Sequence, residues 1–157
     1  MAGRVKAIPD GLHGAIPYLI IQGAAKALDF YQRAFGAKEI MRMDGPGGVV
    51  GHAEIRIGEA VIMLADEVPG MGHRSPQALG GSPVSIYIYV ENVDELAHRA
   101  AECGAKIIRP VADQFYGDRS VGLTDPFGHS WGFATHIEDV SHEELKLRTV
   151  AKFTKGS

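Results

Sequence analysis

The chain has 157 residues, of which 45% are hydrophobic and 22% charged, and a formal net charge of −3; this is one domain's length, enough to bury about two-thirds of the surface that the unfolded form exposes. The composition excludes disordered and fibrous classes, and a slightly acidic chain without basic runs argues against nucleic acid and anionic membrane as partners. The longest apolar stretch, Ala15 to Ile21, falls far short of the roughly 20 residues that span a bilayer, and Met1 to Asp10 lacks the apolar core of a signal peptide, so a cytoplasmic location is expected.

In chain order, Ile16 to Ile21 is an apolar, β-branched run closed by Gln22-Gly23, which predicts a buried strand. From Ala24 to Phe35 the apolar residues recur at three- and four-residue spacing, a helix that Gly36 stops. Three strands follow, Lys38 to Met43, Val49 to Ile57 and Ala60 to Ala65, joined by glycine-bearing turns. Asp66 to Pro83, rich in Gly, Pro, Met and Ser, has the make-up of a linker or mobile loop. The order then repeats: a strand at Ser85 to Val90, a helix at Val93 to Cys103 stopped by Gly104, and strands at Lys106 to Pro110, Ser120 to Thr124 and Ser130 to His136. Cys103, the only cysteine, falls on the buried side of its helix and is expected to be an inert structural thiol. Ser141 and Glu144 have capping-box spacing for a last helix from Glu143 to about Val150, expected to serve packing or dimer contact.

The two halves share more than element order. Gly36-Ala37-Lys38 and Gly104-Ala105-Lys106 are identical and 68 residues apart, and Ile57-Gly58 and Phe127-Gly128 lie 70 apart. Agreement of element order across some 50 residues in each half marks an internal repeat. The expected organisation is one α+β domain of two βαβββ modules: module one about 12–66, linker about 67–83, module two about 84–138 and a helical tail at 139–157.

That order, with Leu28-Asp29-Phe30-Tyr31, Phe35-Gly36-Ala37 and Asp125-Pro126-Phe127-Gly128-His129, resembles the vicinal oxygen chelate (glyoxalase/bleomycin resistance protein/extradiol dioxygenase) superfamily over residues 12–138. His52-Ala53-Glu54-Ile55-Arg56-Ile57-Gly58 and Tyr116-Gly117-Asp118-Arg119 resemble its PhnB-like branch. The resemblance implies a curled eight-stranded mixed sheet that cups a small ligand, and a homodimer, often domain-swapped. It implies no single activity, because the fold hosts lyases, isomerases, thiol transferases, dioxygenases and metal-free binding proteins.

Family enzymes commonly hold a divalent metal through His, Glu or Gln near the start of each module's first strand and within each last strand. Counting from the helix and turn landmarks puts these positions at Ile16, Ser85, Ile62 and Gly132, none of which offers an ordinary metal donor apart from the weak Ser85 hydroxyl. No cofactor is therefore expected at the usual centre. Strand alternation gives the cup lining instead: Ser85, Tyr87 and Tyr89 on one strand, His52, Glu54 and Arg56 on another, with Tyr18 beside them.

His52 and Glu54, two apart on one strand, point the same way. They can act as a general base and acid near neutral pH, supply two ligands of a non-standard divalent metal with His13, Asp118 or His136 as a third, or lie on a solvated face as a surface ion pair. Phe115, Asp118 and Arg119 come from a stretch that could close over a ligand, Arg119 offering a planar fork for carboxylate or phosphate; an Asp-Arg pair fixing a turn accounts for the same residues. A packing role accounts for the rings of Tyr18, Tyr87 and Tyr89 as well as a stacking platform does; Trp131 and Phe133 alternate to the helix side, Asp125 to Gly128 is expected to be a structural turn, and His129 a polar edge. Two functions follow as expectations. One is a cup binding a small aromatic or amphipathic molecule without the usual metal; the other is a glyoxalase-type lyase, isomerase or thiol transferase working through His52 and Glu54.

Overall fold

The computed structural model describes residue 3 and residues 5–154; Met1, Ala2 and Arg4 of the leading stretch and residues 155–157 of the expected tail lie outside them. The first module is β1 (Tyr18–Ile21), α1 (Ala24–Phe35), β2 (Lys38–Asp44), a 3₁₀ turn at Pro46–Gly48, β3 (Val50–Ile57) and β4 (Ala60–Asp66). A single helical turn, α2 (Pro76–Leu79), precedes the second module: β5 (Ser85–Tyr89), α3 (Val93–Glu102), β6 (Lys106–Asp113), β7 (Asp118–Thr124) and β8 (Ser130–His136). The chain closes on α4 (His142–Thr154). Among the described residues no helix is long and apolar enough to cross a membrane.

The eight strands form two four-stranded mixed sheets, ordered β1-β4-β3-β2 and β5-β8-β7-β6. Each first strand runs parallel to its module's last strand and every other pairing is antiparallel. One shift of 69 residues carries the pair Tyr18–Met63 onto Tyr87–Gly132, so the internal repeat is a repeat of register. Pro17 and Ile86, related by the same shift, line two clefts between the modules, one with His13 and Tyr87, the other with Tyr18 and His129.

The helix inside each module, α1 and α3, receives at its start a side chain sent from the end of that module's last strand, which in α3 adds to the local Asn92 cap. Gly23, at the α1 N-cap, has no side chain to offer; Asp66 accepts from the amides of Gly23 (3.1 Å) and Ala24 (2.7 Å), and its other oxygen accepts from Val50 (2.8 Å). At the same place in the second module, Thr135 accepts from the Val93 amide (2.9 Å) and donates to the Val90 carbonyl (2.9 Å). These bonds satisfy helix-terminal amides that have no partner inside the helix. At the other end of α1, Gly36 turns left-handed with φ 68°, a conformation that suits a residue without Cβ.

The core is shared between modules. Tyr31 and Phe35 leave α1 to meet Trp131 and Phe133 of β8, with Phe35 ring centroids 4.9 and 4.8 Å from theirs. Asp125 is buried beside this cluster and accepts four hydrogen bonds, from the Tyr31 hydroxyl (2.6 Å), Trp131 Nε1 (2.9 Å) and the amides of Phe127 (2.9 Å) and His129 (3.0 Å). Burial, and then the Asp125 charge, hold the Tyr31 phenol well above its ordinary range. The expected turn is therefore also a joint between the halves.

Several expectations change. The first strand begins at Tyr18, leaving Ile16 in the preceding coil. The linker between modules is hydrogen-bonded to its surroundings and carries one helical turn: the Glu67 carboxylate accepts from the Ser75 amide, fully buried Ser75 caps α2 through the Ala78 amide, and Gln77 donates to the Pro126 carbonyl. Pro76 also presses on Gly128, where a Cβ would stand 2.9 Å from its own. His129 is buried with Nε2 3.1 Å from the Ile20 carbonyl, so it bridges modules and is no polar edge. Cys103 caps the end of α3 half-buried, near Arg33, and is not sealed in the core. α4 extends beyond its expected range with Ser141 accepting from the Glu144 amide; it buries no residue and leaves Leu147, Val150 and Phe153 exposed.

Candidate functional site

Each sheet has one face against the helices and one open face, assigned by burial and register. In β3, Ala53, Ile55 and Ile57 go to the core, which sends His52, Glu54 and Arg56 to the open face as alternation requires. Tyr18 arrives from β1. Its hydroxyl lies 2.8 Å from His52 Nδ1, and His52 Nε2 lies 3.3 Å from Glu54 Oε1. One tautomer satisfies the whole chain, the phenol donating to Nδ1 and the Nε2 proton going to the carboxylate. The His52 and Glu54 side chains are 17% and 14% exposed. They form a sheltered relay behind Tyr18, which sequence spacing alone leaves without its phenol.

In the second module, Ser85, Tyr87 and Tyr89 share the open face of β5, with Ile88 buried behind them. Asp118 is buried between two partners, accepting from the Tyr89 hydroxyl (2.6 Å) and lying 2.8 Å from His136 Nδ1. Asp139 stands 2.9 Å from the other ring nitrogen of His136. The hydrogen bond to Asp118 raises the Tyr89 pKa above its ordinary value, and desolvation adds to it. Tyr87 is pushed up to about 12 by burial, then by neighbouring Tyr116, Tyr89 and Asp118.

A carboxylate at each ring nitrogen of His136 favours its imidazolium form. Its pKa is raised above the ordinary 6.5, first by the Asp118 bond and then by that to Asp139, against a smaller desolvation effect. A folded-state pKa above the unfolded one gives stability that is complete below the ordinary value and lost as pH rises through the raised value. NMR titration of the imidazole is expected to show a midpoint above 6.5, and His136→Gln to flatten the pH dependence of unfolding in that window. A midpoint at or below the ordinary value contradicts this.

Other expected site residues are placed differently. Arg119 shares the helix side of β7 with Val121 and Leu123, where it pairs with Asp94 of α3 and with Asp113, each at 2.8 Å. It is a structural clasp, because alternation that sends Asp118 to the open face sends Arg119 to the other. Phe115 is held by α4, with Lys152 Nζ 5.0 Å from its ring and Arg148 donating to its carbonyl. The adjacent Tyr116, 38% exposed, is the one that approaches Tyr87. Arg109, absent from the expected lining, joins the open face from β6 opposite Gly122.

The metal positions also need correction. Ile62 points into the core, and the residue in register with Gly132 is Met63. A Cβ on Gly132 would stand 2.5 Å from Tyr87 Cδ2, so the tyrosine ring occupies the place of a ligating side chain. His13, Asp118 and His136 do not join His52 and Glu54: among the described residues, no three of His, Cys, Asp and Glu are grouped to hold a metal ion. The donor set here does not fit the divalent centre of the family enzymes.

Comparison with known proteins gives the chain its place. It is 41% identical over 133 residues to an uncharacterized protein of Mycobacterium bovis, covering 83% of this chain and 88% of that one. An uncharacterized protein of Mycobacterium tuberculosis strain H37Rv matches at the same identity, over 83% and 78%. Among solved structures, TioX from Micromonospora sp. ML1 superposes with a TM-score of 0.63 at 24% identity, covering 82% of this chain and all of that one. The fosfomycin resistance protein FosX from Listeria monocytogenes, complexed with Mn(II) and sulfate, gives 0.60 at 21%, over 87% and 97%. A PhnB protein from Bacillus cereus gives 0.58 at 22%, over 78% and 99%. With the two modules in place, and with the family model for the glyoxalase/bleomycin resistance protein/dioxygenase superfamily matching residues 15–133, the chain belongs to that superfamily.

Proposed function

We propose that the open face binds a small aromatic or amphipathic molecule without a resident metal, in the manner of the bleomycin-resistance type. The observation that carries this reading is the exposure of three large rings on that face: Tyr18 at 47%, Tyr87 at 46% and Tyr89 at 60%. Rings with an apolar body and a polar tip are suited to stack on an aromatic ligand and hydrogen-bond its substituents. A second reading, a glyoxalase-type lyase, isomerase or transferase, is favoured by the Tyr18–His52–Glu54 relay, which can take up and return a proton.

One experiment separates the two. Full-length protein prepared without a histidine tag is titrated with a panel of aromatic and amphipathic compounds by calorimetry and intrinsic fluorescence, with and without added Mn(II). Saturable binding independent of metal, weakened roughly tenfold by Tyr89→Ala, is the expected result. No binding, with turnover appearing on addition of metal, defeats it; loss of that turnover in His52→Ala and Glu54→Ala supports the second reading.

A further inference from the structure

The register repeat places two four-residue rows at equivalent positions across the two sheets. In the first module the row is Tyr18, Met63, Glu54 and Met41. In the second it is Tyr87, Gly132, Gly122 and Arg109. Where the first row has two side chains in the middle, the second has two paired glycines, and its end residues fold inward over them. A Cβ on Gly132 would lie 2.5 Å from Tyr87 Cδ2; one on Gly122 would lie 2.7 Å from Arg109 Nη2 and 2.8 Å from its Cζ. The phenol ring and the guanidinium therefore rest on the backbone of the sheet itself, neighbours across two paired strands.

Arg109 reaches this floor through a bulge. Ile107 pairs with Leu123 and Arg109 with Gly122, leaving Ile108 as the extra residue. Without it, Arg109 would point with Val121 toward the helices. Its charge is also unpaired. Arg33, Arg42, Arg99, Arg119 and Arg148 each hold a carboxylate, whereas Arg56, Arg74 and exposed Arg109 make no ion pair among the described residues, and of these three Arg109 is the one whose guanidinium lies over a strand glycine.

We propose that Arg109 and Tyr87 form the anion end of the ligand site and select a planar aromatic carboxylate, its carboxylate in the guanidinium fork and its ring against the phenol. This rests on the reading of the open face as a binding surface for aromatic molecules. The planar fork matches a carboxylate with two parallel hydrogen bonds, and an unpaired arginine gives up no internal ion pair to make them. The two glycines keep the floor low, so that both planar groups present themselves to one ligand.

Fluorescence titration of the full chain with 2-naphthoate and with its neutral isostere 2-naphthamide tests this. The carboxylate is expected to bind about tenfold more tightly, as a charge-assisted bond implies. Arg109→Gln should erase that preference by weakening carboxylate binding to the level of the amide, and Arg109→Lys should restore part of it. Equal binding of the two compounds, or a preference that persists in Arg109→Gln, overturns the anion site and leaves the aromatic reading standing. If neither compound binds and no aromatic compound of the wider panel does, both fail.

Discussion

Asp125→Ala is expected to cost about 4 kcal/mol of folding stability, because four buried or half-buried donors lose their only acceptor at once. Those donors come from both halves of the molecule: Tyr31 of α1, and Phe127, His129 and Trp131 of the second module. The substitution removes an oxygen pair that positions one module on the other, and unsatisfied polar groups in a tight interior cost more than their hydrogen bonds contribute net. Tyr31→Phe, which deletes one donor and leaves the carboxylate three, should cost about 1.5–3 kcal/mol, the range for a hydrogen bond to a charged group. Asp125→Asn should fall between them, since its amide NH₂ would replace an oxygen that now accepts from Tyr31 and Trp131. Urea unfolding of the three variants gives the order directly. An Asp125→Ala loss below about 1 kcal/mol, the size of a single neutral hydrogen bond, would show that the carboxylate is not the joint described above.

Phe35→Ala should be comparably damaging for a different reason, with an expected loss of about 3–5 kcal/mol from a cavity that the surroundings only partly fill. Phe35 is 4% exposed and its ring meets Phe30, Tyr31, Trp131 and Phe133, with centroids 4.8 to 5.7 Å away. Rings from α1 and β8 interlock there, so the void would open at the seam between modules and not within either one. Against a total stability of about 5–15 kcal/mol typical of a single domain, either substitution threatens folding at physiological temperature. Phe35→Leu, which keeps most of the volume, should retain a cooperative transition and supplies the control. If Phe35→Ala and Phe35→Leu unfold at the same urea concentration, the seam is not packed as described.

The elements were largely legible in the sequence because their signals are local. The 3.6-residue spacing from Ala24 to Phe35 and the glycine after it fix α1 to its ends. Alternation in β3 places His52 and Glu54 on one face before any coordinate is known. What joins distant segments was not legible: Tyr31 and Asp125 are 94 positions apart, and nothing at either position names the other. Alternation misplaces a side chain wherever a strand is longer or less regular than its local residues signal. β7 begins at Asp118, earlier than its β-branched residues suggest, so Asp118 and Arg119 part to opposite faces instead of closing over a ligand together. The chelate positions slipped because Gly58 and Gly128, used as landmarks, sit in turns of different length, Gly58-Glu59 in one module and Asp125 to His129 in the other. Arg109 was missed because a bulge reverses the alternation just before it.

The same bulge occurs in both modules, at Ile40 between Glu39 and Met41 and at Ile108 between Ile107 and Arg109. Both lie on the outermost strand of their sheet, away from the seam that holds the fold together. Sliding the extra residue one step along such a strand exchanges the side chain shown to a ligand while the inner strands keep their register. Here the two bulges stand at equivalent places, so a methionine's soft apolar end in one module and an arginine's charge in the other occupy the same position of the repeat, at a border that the core does not police. Diversity of ligands and constancy of scaffold then come from different strands of the same sheet.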